Sequence, residues 1–213
     1  MVPEDRIQIN ELIAAAAKLQ ALLESRGWKF CFIGGLAVQA WSEPRYTKDV
    51  DLTLLTGFGG EEAFIDFLLR HYEGRRPDAK EFALVNRVLL LRDERGLGID
   101  IAMGALPFEE SAVRRARMVE AFPGIELRFC SPEDLIVMKA FASRDQDWMD
   151  VRMTIVRCGA EKLDWGYIRE HLEPLAEAKE APDILERLEG LRRRYLAEVR
   201  ARKGEDRSGR EAT

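Results

Sequence analysis

Strand signals end at Cys130, and from 132 to 202 the chain reads as helices. Short apolar runs bounded by Gly, Pro or turn residues recur through the first 130 residues, whereas 132–202 carries apolar residues at helical spacing only. That order predicts an α+β region followed by a helical C-terminal part. With 213 residues, the chain suits one domain with a helical appendix and is too short for several independent units. The boundaries expected are 1–130 for the α+β domain, 131–202 for the helical region, and 203–213 for a polar, disordered tail.

Within the first region, Ile9, Leu12, Ile13, Ala16, Leu19 and Leu23 recur at helical spacing between Asp5 and Arg26, and Gly27 suits a left-handed cap. Lys29–Ile33 reads as a buried strand and Leu36–Trp41 as a short helix ended before Pro44, so Gly34 and Gly35 form the turn between them. Val50–Leu55 reads as a second strand and Glu61–Tyr72 as a helix. Phe82–Leu91 and Leu97–Met103 flank the turn-like residues 93–96 and suit an antiparallel hairpin. The stretch 109–121 fits a helix or an irregular strand pair equally well, and Ile125–Cys130 reads as a strand. Ser131, Pro132, Glu133 and Asp134 then open a helix, and helices are expected near 132–143, 146–157, 164–175 and 182–202.

Composition removes several classes. The chain is 46% hydrophobic and 33% charged with 8 Pro and 16 Gly, which excludes disordered and collagen-like chains. A net charge of −5 argues against coating nucleic acid by bulk charge. Cys31, Cys130 and Cys158 form no paired motif, and His71 and His171 are isolated, so a zinc site or disulfide framework is not expected. The N-terminus lacks a secretory pattern and no apolar run approaches the ~18 residues of a membrane span, so a cytoplasmic protein is expected.

The chemistry concentrates in three acids. On a strand, Asp49 and Asp51 point the same way, and two such carboxylates repel unless a cation neutralises them. Hard divalent ions take carboxylate oxygens. Asp100 interrupts the otherwise apolar run 98–103, where propensity and desolvation both disfavour it, so it needs a partner. Three carboxylates on neighbouring strands suit two metal ions about 3.5–4 Å apart. The structural alternative is an ion pair between Asp100 and an arginine such as Arg87 on the hairpin partner. Gly34 and Gly35, between strand and helix, would let backbone N–H groups approach a phosphate chain. No Walker or Rossmann pattern accompanies them.

At these residues the chain resembles the DNA polymerase β-type nucleotidyltransferase superfamily, and within it the small bacterial branch similar to AbiEii abortive-infection toxins. The shared pattern is the glycine turn Gly34–Gly35, then Arg45, Asp49 and Asp51, then Asp100 on a later strand; it continues in residues 131–140 with Lys139, then Arg144, Asp147 and Asp150. The resemblance spans 30–155. It implies a mixed sheet with flanking helices, two Mg2+ ions held by Asp49, Asp51 and Asp100, and transfer of NMP from an NTP, such as ATP, with release of pyrophosphate. It also implies nucleotide contacts from Gly34, Gly35, Arg45, Lys48 and Lys139, and an acceptor that is RNA, protein or a small molecule. One departure is that many members carry Gly-Ser at the turn, the hydroxyl reaching a phosphate, whereas here Leu36 follows Gly35.

Lys139 shares a helical face with Leu135, Met138 and Ala142, an unusual place for a charge. Its ammonium either reaches the triphosphate or pairs with Asp147 to join two helices. Arg192–Arg194, Arg200, Arg202 and Lys203 make the last helix locally basic, with Glu186, Glu189 and Glu198 interleaved as on a solvated face. The rival to an enzyme is a catalytically silent binding module of the same fold, acting with an antitoxin protein in a toxin–antitoxin pair.

Overall fold

The computed structural model describes residues 3–42 and 47–210, with side chains described from 9 to 42 and from 47 to 201. The chain divides into two compact units, Met1–Ala40 with Pro44–Ser131, and Trp41–Glu43 with Pro132–Thr213.

The first unit is built on a seven-stranded mixed sheet. Its strands are β1 (Phe30–Phe32), β2 (Asp49–Leu55), β3 (Glu73–Gly74), β4 (Val88–Arg92), β5 (Gly98–Gly104), β6 (Arg117–Phe122) and β7 (Ile125–Phe129), in the spatial order β3-β4-β5-β2-β1-β7-β6. β2 pairs with β1 antiparallel and with β5 parallel, and β1 pairs with β7 parallel. Around the sheet lie α1 (Pro3–Ser25), α2 (Gly34–Trp41), α3 (Glu61–Leu69), α4 (Ala79–Asn86) and α5 (Pro107–Arg115). The periodic face of α1 is buried as its spacing requires, with Leu12, Ala16, Leu19 and Leu23 all fully covered. Gly27, at φ +68°, turns the chain from α1 toward β1.

Three elements differ from the sequence reading. Phe82–Leu91 is not one strand: 82–86 belongs to α4, and the strand begins at Val88. Ala79 and Ala83 are the buried residues of α4 while Leu84 and Val85 face outward, so the apolar run there is not a core strand. Arg87 ends the helix in the left-handed region at φ 56°. Its guanidinium pins that conformation, paired with Glu61 and donating to the carbonyls of Gly57 (3.0 Å) and Met103 (2.5 Å). The stretch 109–121 resolves into the end of α5 and the edge strand β6. The helix after β1 is bounded by Gly34–Trp41, two residues earlier than expected, with Gly34 itself at φ +60° making the turn into it.

The second unit is helical, with α6 (Pro132–Ala142), α7 (Asp145–Cys158), α8 (Trp165–Ala178) and α9 (Asp183–Arg210). Leu135, Ile136, Trp148, Val151, Ile155, Ile168 and Leu172 form its core. Trp148 is buried with its indole N–H donating to Ser143 Oγ at 3.0 Å, and Arg187 stacks on the ring 4.5 Å from its centre. α9 runs through 203–210, part of the segment expected as a disordered tail. Among the described residues no helix is long and apolar enough to cross a membrane, and none of the three cysteines forms a disulfide.

Candidate active site

The register of the parallel pair β2–β5 assembles the acids. Asp51 stands opposite Asp100, and Asp49 stands opposite Gly98, two residues earlier on the same face of β2. β4 places Leu90, not Arg87, across from Asp100. The arginine that reaches Asp100 is Arg75, just beyond β3, which pairs with Asp100 and lies 3.6 Å from Asp49 Oδ1. Asp100 is thus arginine-paired, but through a residue the sequence did not indicate.

Two glycines make room for these carboxylates. A β-carbon on Gly98 would collide with Asp49 Oδ1, and one on Gly34, which also sits at φ +60°, would collide with the Asp51 carboxylate. Asp51 is tied to the turn through its backbone carbonyl, which accepts from Ile33 N–H at 2.9 Å, and through Oδ2, which lies 3.4 Å from the Gly35 amide. The opening of α2 therefore lies directly against the acid pair. Helix N-termini carry unsatisfied N–H groups and partial positive charge, a setting suited to anions.

Burial pushes the Asp100 carboxyl up from its ordinary range; Arg75 works against that shift, and the neighbouring Asp49 charge adds to it. Even with a guanidinium alongside, the charged form of Asp100 is under-compensated. Among the described residues no group of three or more His, Cys, Asp or Glu is gathered closely enough to hold a metal ion. The donor set is nonetheless of the hard oxygen type that Mg2+ takes, and Arg75 already occupies the position of a counter-cation to two of its members.

Of the other expected contact residues, Gly34 and Gly35 lie at the acids, Lys48 is exposed immediately before β2, and Arg45 lies outside the described residues. Lys139 belongs to the helical unit. It is 8% exposed, and its ammonium lies 3.1 Å from Asp147 Oδ1 and 2.9 Å from Asp150 Oδ2. Asp147 is also held by Arg144, whose Nε is 2.6 Å from its Oδ2. The lysine is thus engaged in joining α6 to α7.

Besides Arg75, Thr47 stands at the site. Its hydroxyl oxygen occupies the space a β-carbon on Gly35 would need, so a hydroxyl sits at the glycine turn although neither Gly35 nor Leu36 carries one. The pairing of Thr47 with Gly35 has no local sequence signature, because the two residues meet only through the return of the chain into β2.

A seven-stranded mixed sheet with flanking helices and further helices C-terminal to it matches nucleotidyltransferase-like folds. The chain belongs to a nucleotidyltransferase family of unknown function, DUF6036, whose family model matches residues 10–189. Among solved structures, it is similar to that of the antibiotic-resistance factor ANT(2'')-Ia, at 18% identity and TM-score 0.53, over 83% of this chain and 96% of that one. It is also similar to an antigenic nucleotidyltransferase-like protein from Paracoccidioides brasiliensis, at 18% identity and TM-score 0.51, over 84% and 93% of the respective chains. JHP933 from Helicobacter pylori aligns over 99% of both chains at 10% identity and TM-score 0.50. At these identities the likeness is one of fold. No curated protein matches the chain by sequence.

Proposed function

We propose that this protein is a Mg2+-dependent nucleotidyltransferase that moves NMP from an NTP to an acceptor hydroxyl. The single observation that carries the reading is the Asp51–Asp100 pair, with Asp49 on the same face and the first turn of α2 against Asp51. Asp49, Asp51 and Asp100 would hold the metal, which supplies positive charge for the triphosphate and the leaving pyrophosphate.

This chain's own contributions are binding, orientation and one proton transfer. The backbone N–H groups at the start of α2 and the Thr47 hydroxyl are donors for donor phosphates. Asp100, in register with Asp51, takes the acceptor hydroxyl's proton as that oxygen bonds to the α-phosphorus. The bond from the α-phosphorus to the bridging oxygen breaks, and pyrophosphate carries that electron pair away.

The test is the double variant Asp49→Ala, Asp51→Ala, assayed by calorimetry with Mg2+-NTP and by transfer of label from each α-labelled NTP in a whole-cell lysate. Loss of metal-dependent binding and of transfer is expected. Wild-type behaviour in both assays would overturn the assignment. The fraction in which label appears identifies the acceptor as RNA, protein or a small molecule.

A further inference from the structure

A cavity of about 640 Å3 opens in the sheet unit at the end of β2 remote from the acids. Volumes of this order are those of small-molecule sites. Leu55 of β2 and Val113 of α5 line it, and Leu55 stands four residues beyond Asp51, roughly 13 Å away at about 3.3 Å per strand residue. The cavity is therefore separate from the carboxylates.

Trp28 forms an aromatic wall. Its ring packs on Phe64 (4.5 Å between centres) and Phe67 (5.1 Å), which holds it in place before any ligand arrives. Its indole N–H finds no acceptor among the described residues. The register that sets Phe32 beside Phe129 puts Arg128 next to Cys31, on the sheet face that also carries Lys29. Neither Lys29 nor Arg128 makes an ion pair among the described residues, and the Arg114 guanidinium donates to Ser111 Oγ at 3.2 Å and to no carboxylate. Glu24 and Glu110 line the same cavity and are likewise unpaired.

Opposite charges around one cavity ordinarily close into salt bridges if the side chains can meet. Here three cations and two carboxylates remain apart over an apolar and aromatic base, leaving a surplus of positive charge. We infer that this cavity binds a heteroaromatic anion. The ring lies against Trp28 and Leu55, the anionic group meets Lys29 and Arg128, and ring or exocyclic N–H groups donate to Glu24 or Glu110. A nucleoside monophosphate combines these features in one molecule.

The experiment uses the full chain carrying Asp49→Asn and Asp51→Asn, so that binding at the acids is disabled, and titrates AMP and GMP in turn by calorimetry. One-site binding is expected to persist in this background. It is expected to weaken at least tenfold when Lys29→Glu and Arg128→Glu are added, with the melting temperature confirming that this variant folds. Trp28→Phe is expected to remove the accompanying quenching of tryptophan emission. No binding of either nucleotide, binding that survives charge reversal, or binding abolished by the aspartate changes alone would each overturn the inference. The last outcome would instead move the nucleotide to the acids, so the two sites are distinguished.

Discussion

Asp51 and Asp100 face each other across the parallel β2–β5 pair, and the backbone amide of Gly35 lies 3.4 Å from the Asp51 carboxylate. Two anions in register on adjacent strands are a standing electrostatic cost unless positive charge joins them. Among the described residues, the opening of α2 lies against Asp51 and the Arg75 guanidinium against Asp49 and Asp100.

Arg75→Gln removes a counter-charge from Asp49 and Asp100. If the guanidinium and a divalent ion compete for the same oxygens, the variant binds Mn2+ more tightly, by about tenfold, equivalent to ~1.4 kcal/mol. Electron paramagnetic resonance titration of free Mn2+ reads this directly. Unchanged or weaker binding would show that Arg75 does not compete with the ion.

Gly34 and Gly27 both sit at positive φ, but their surroundings differ. A β-carbon at Gly27 meets nothing within 4 Å, whereas one at Gly34 collides with Asp51. Gly27→Ala should cost only the backbone strain, about 1–2 kcal/mol in urea unfolding. Gly34→Ala should cost more and should also displace Asp51, lowering transfer activity well beyond the loss of folded protein. Equal stability losses in the two variants would contradict this account.

Thr47 offers a hydroxyl where Gly35 has no side chain. Thr47→Ala should weaken NTP binding roughly 3- to 10-fold, the worth of one neutral hydrogen bond. Gly35→Ser alone should disturb the turn through its clash with Thr47. Combined with Thr47→Ala, it should restore much of the lost affinity, because the new hydroxyl then has the vacated space. Calorimetry on the three variants settles the point, and unchanged affinity in Thr47→Ala would remove the hydroxyl from the site.

Lys139 is a buried cation between two buried carboxylates, so removing it takes the ammonium from both, while Arg144 still holds Asp147. Lys139→Met should cost about 3–5 kcal/mol, and adding Asp147→Asn and Asp150→Asn should recover most of it. Burial raises the Asp147 carboxyl, but hydrogen bonds and charge from Arg144 and Lys139 outweigh this and hold it below the ordinary carboxylate range. The folded state therefore binds that proton less readily than the unfolded chain does. The resulting stability is complete above about pH 4 and is lost as pH falls through the lowered value. Asp147→Asn should flatten the acid limb of the stability curve; an unaltered acid limb would rule the pair out as its source.

Much of the architecture is visible in local pattern. The stripe Leu12, Ala16, Leu19 and Leu23, the run Val50–Leu55 and the change to helices after Cys130 all reappear as built elements, because each is decided by periodicity within a few turns or strand residues. Leu84 and Val85 misled in the other direction. They look like part of a strand by composition, yet they lie on the exposed side of α4, since the strand can start only after Arg87 has turned the chain.

By itself, the sequence determined the succession of elements and the placement of Asp49 and Asp51 on one face of a strand, both consequences of short-range geometry. It also marked Asp100 as an acid in need of a partner. Register and packing alone bring Asp100 beside Asp51 across the β2–β5 pair, make Arg75 and not Arg87 its arginine, set Thr47 in the space at Gly35, and hold Lys139 between Asp147 and Asp150. Each of these depends on strand register or helix packing between segments far apart in the chain, which local periodicity does not encode.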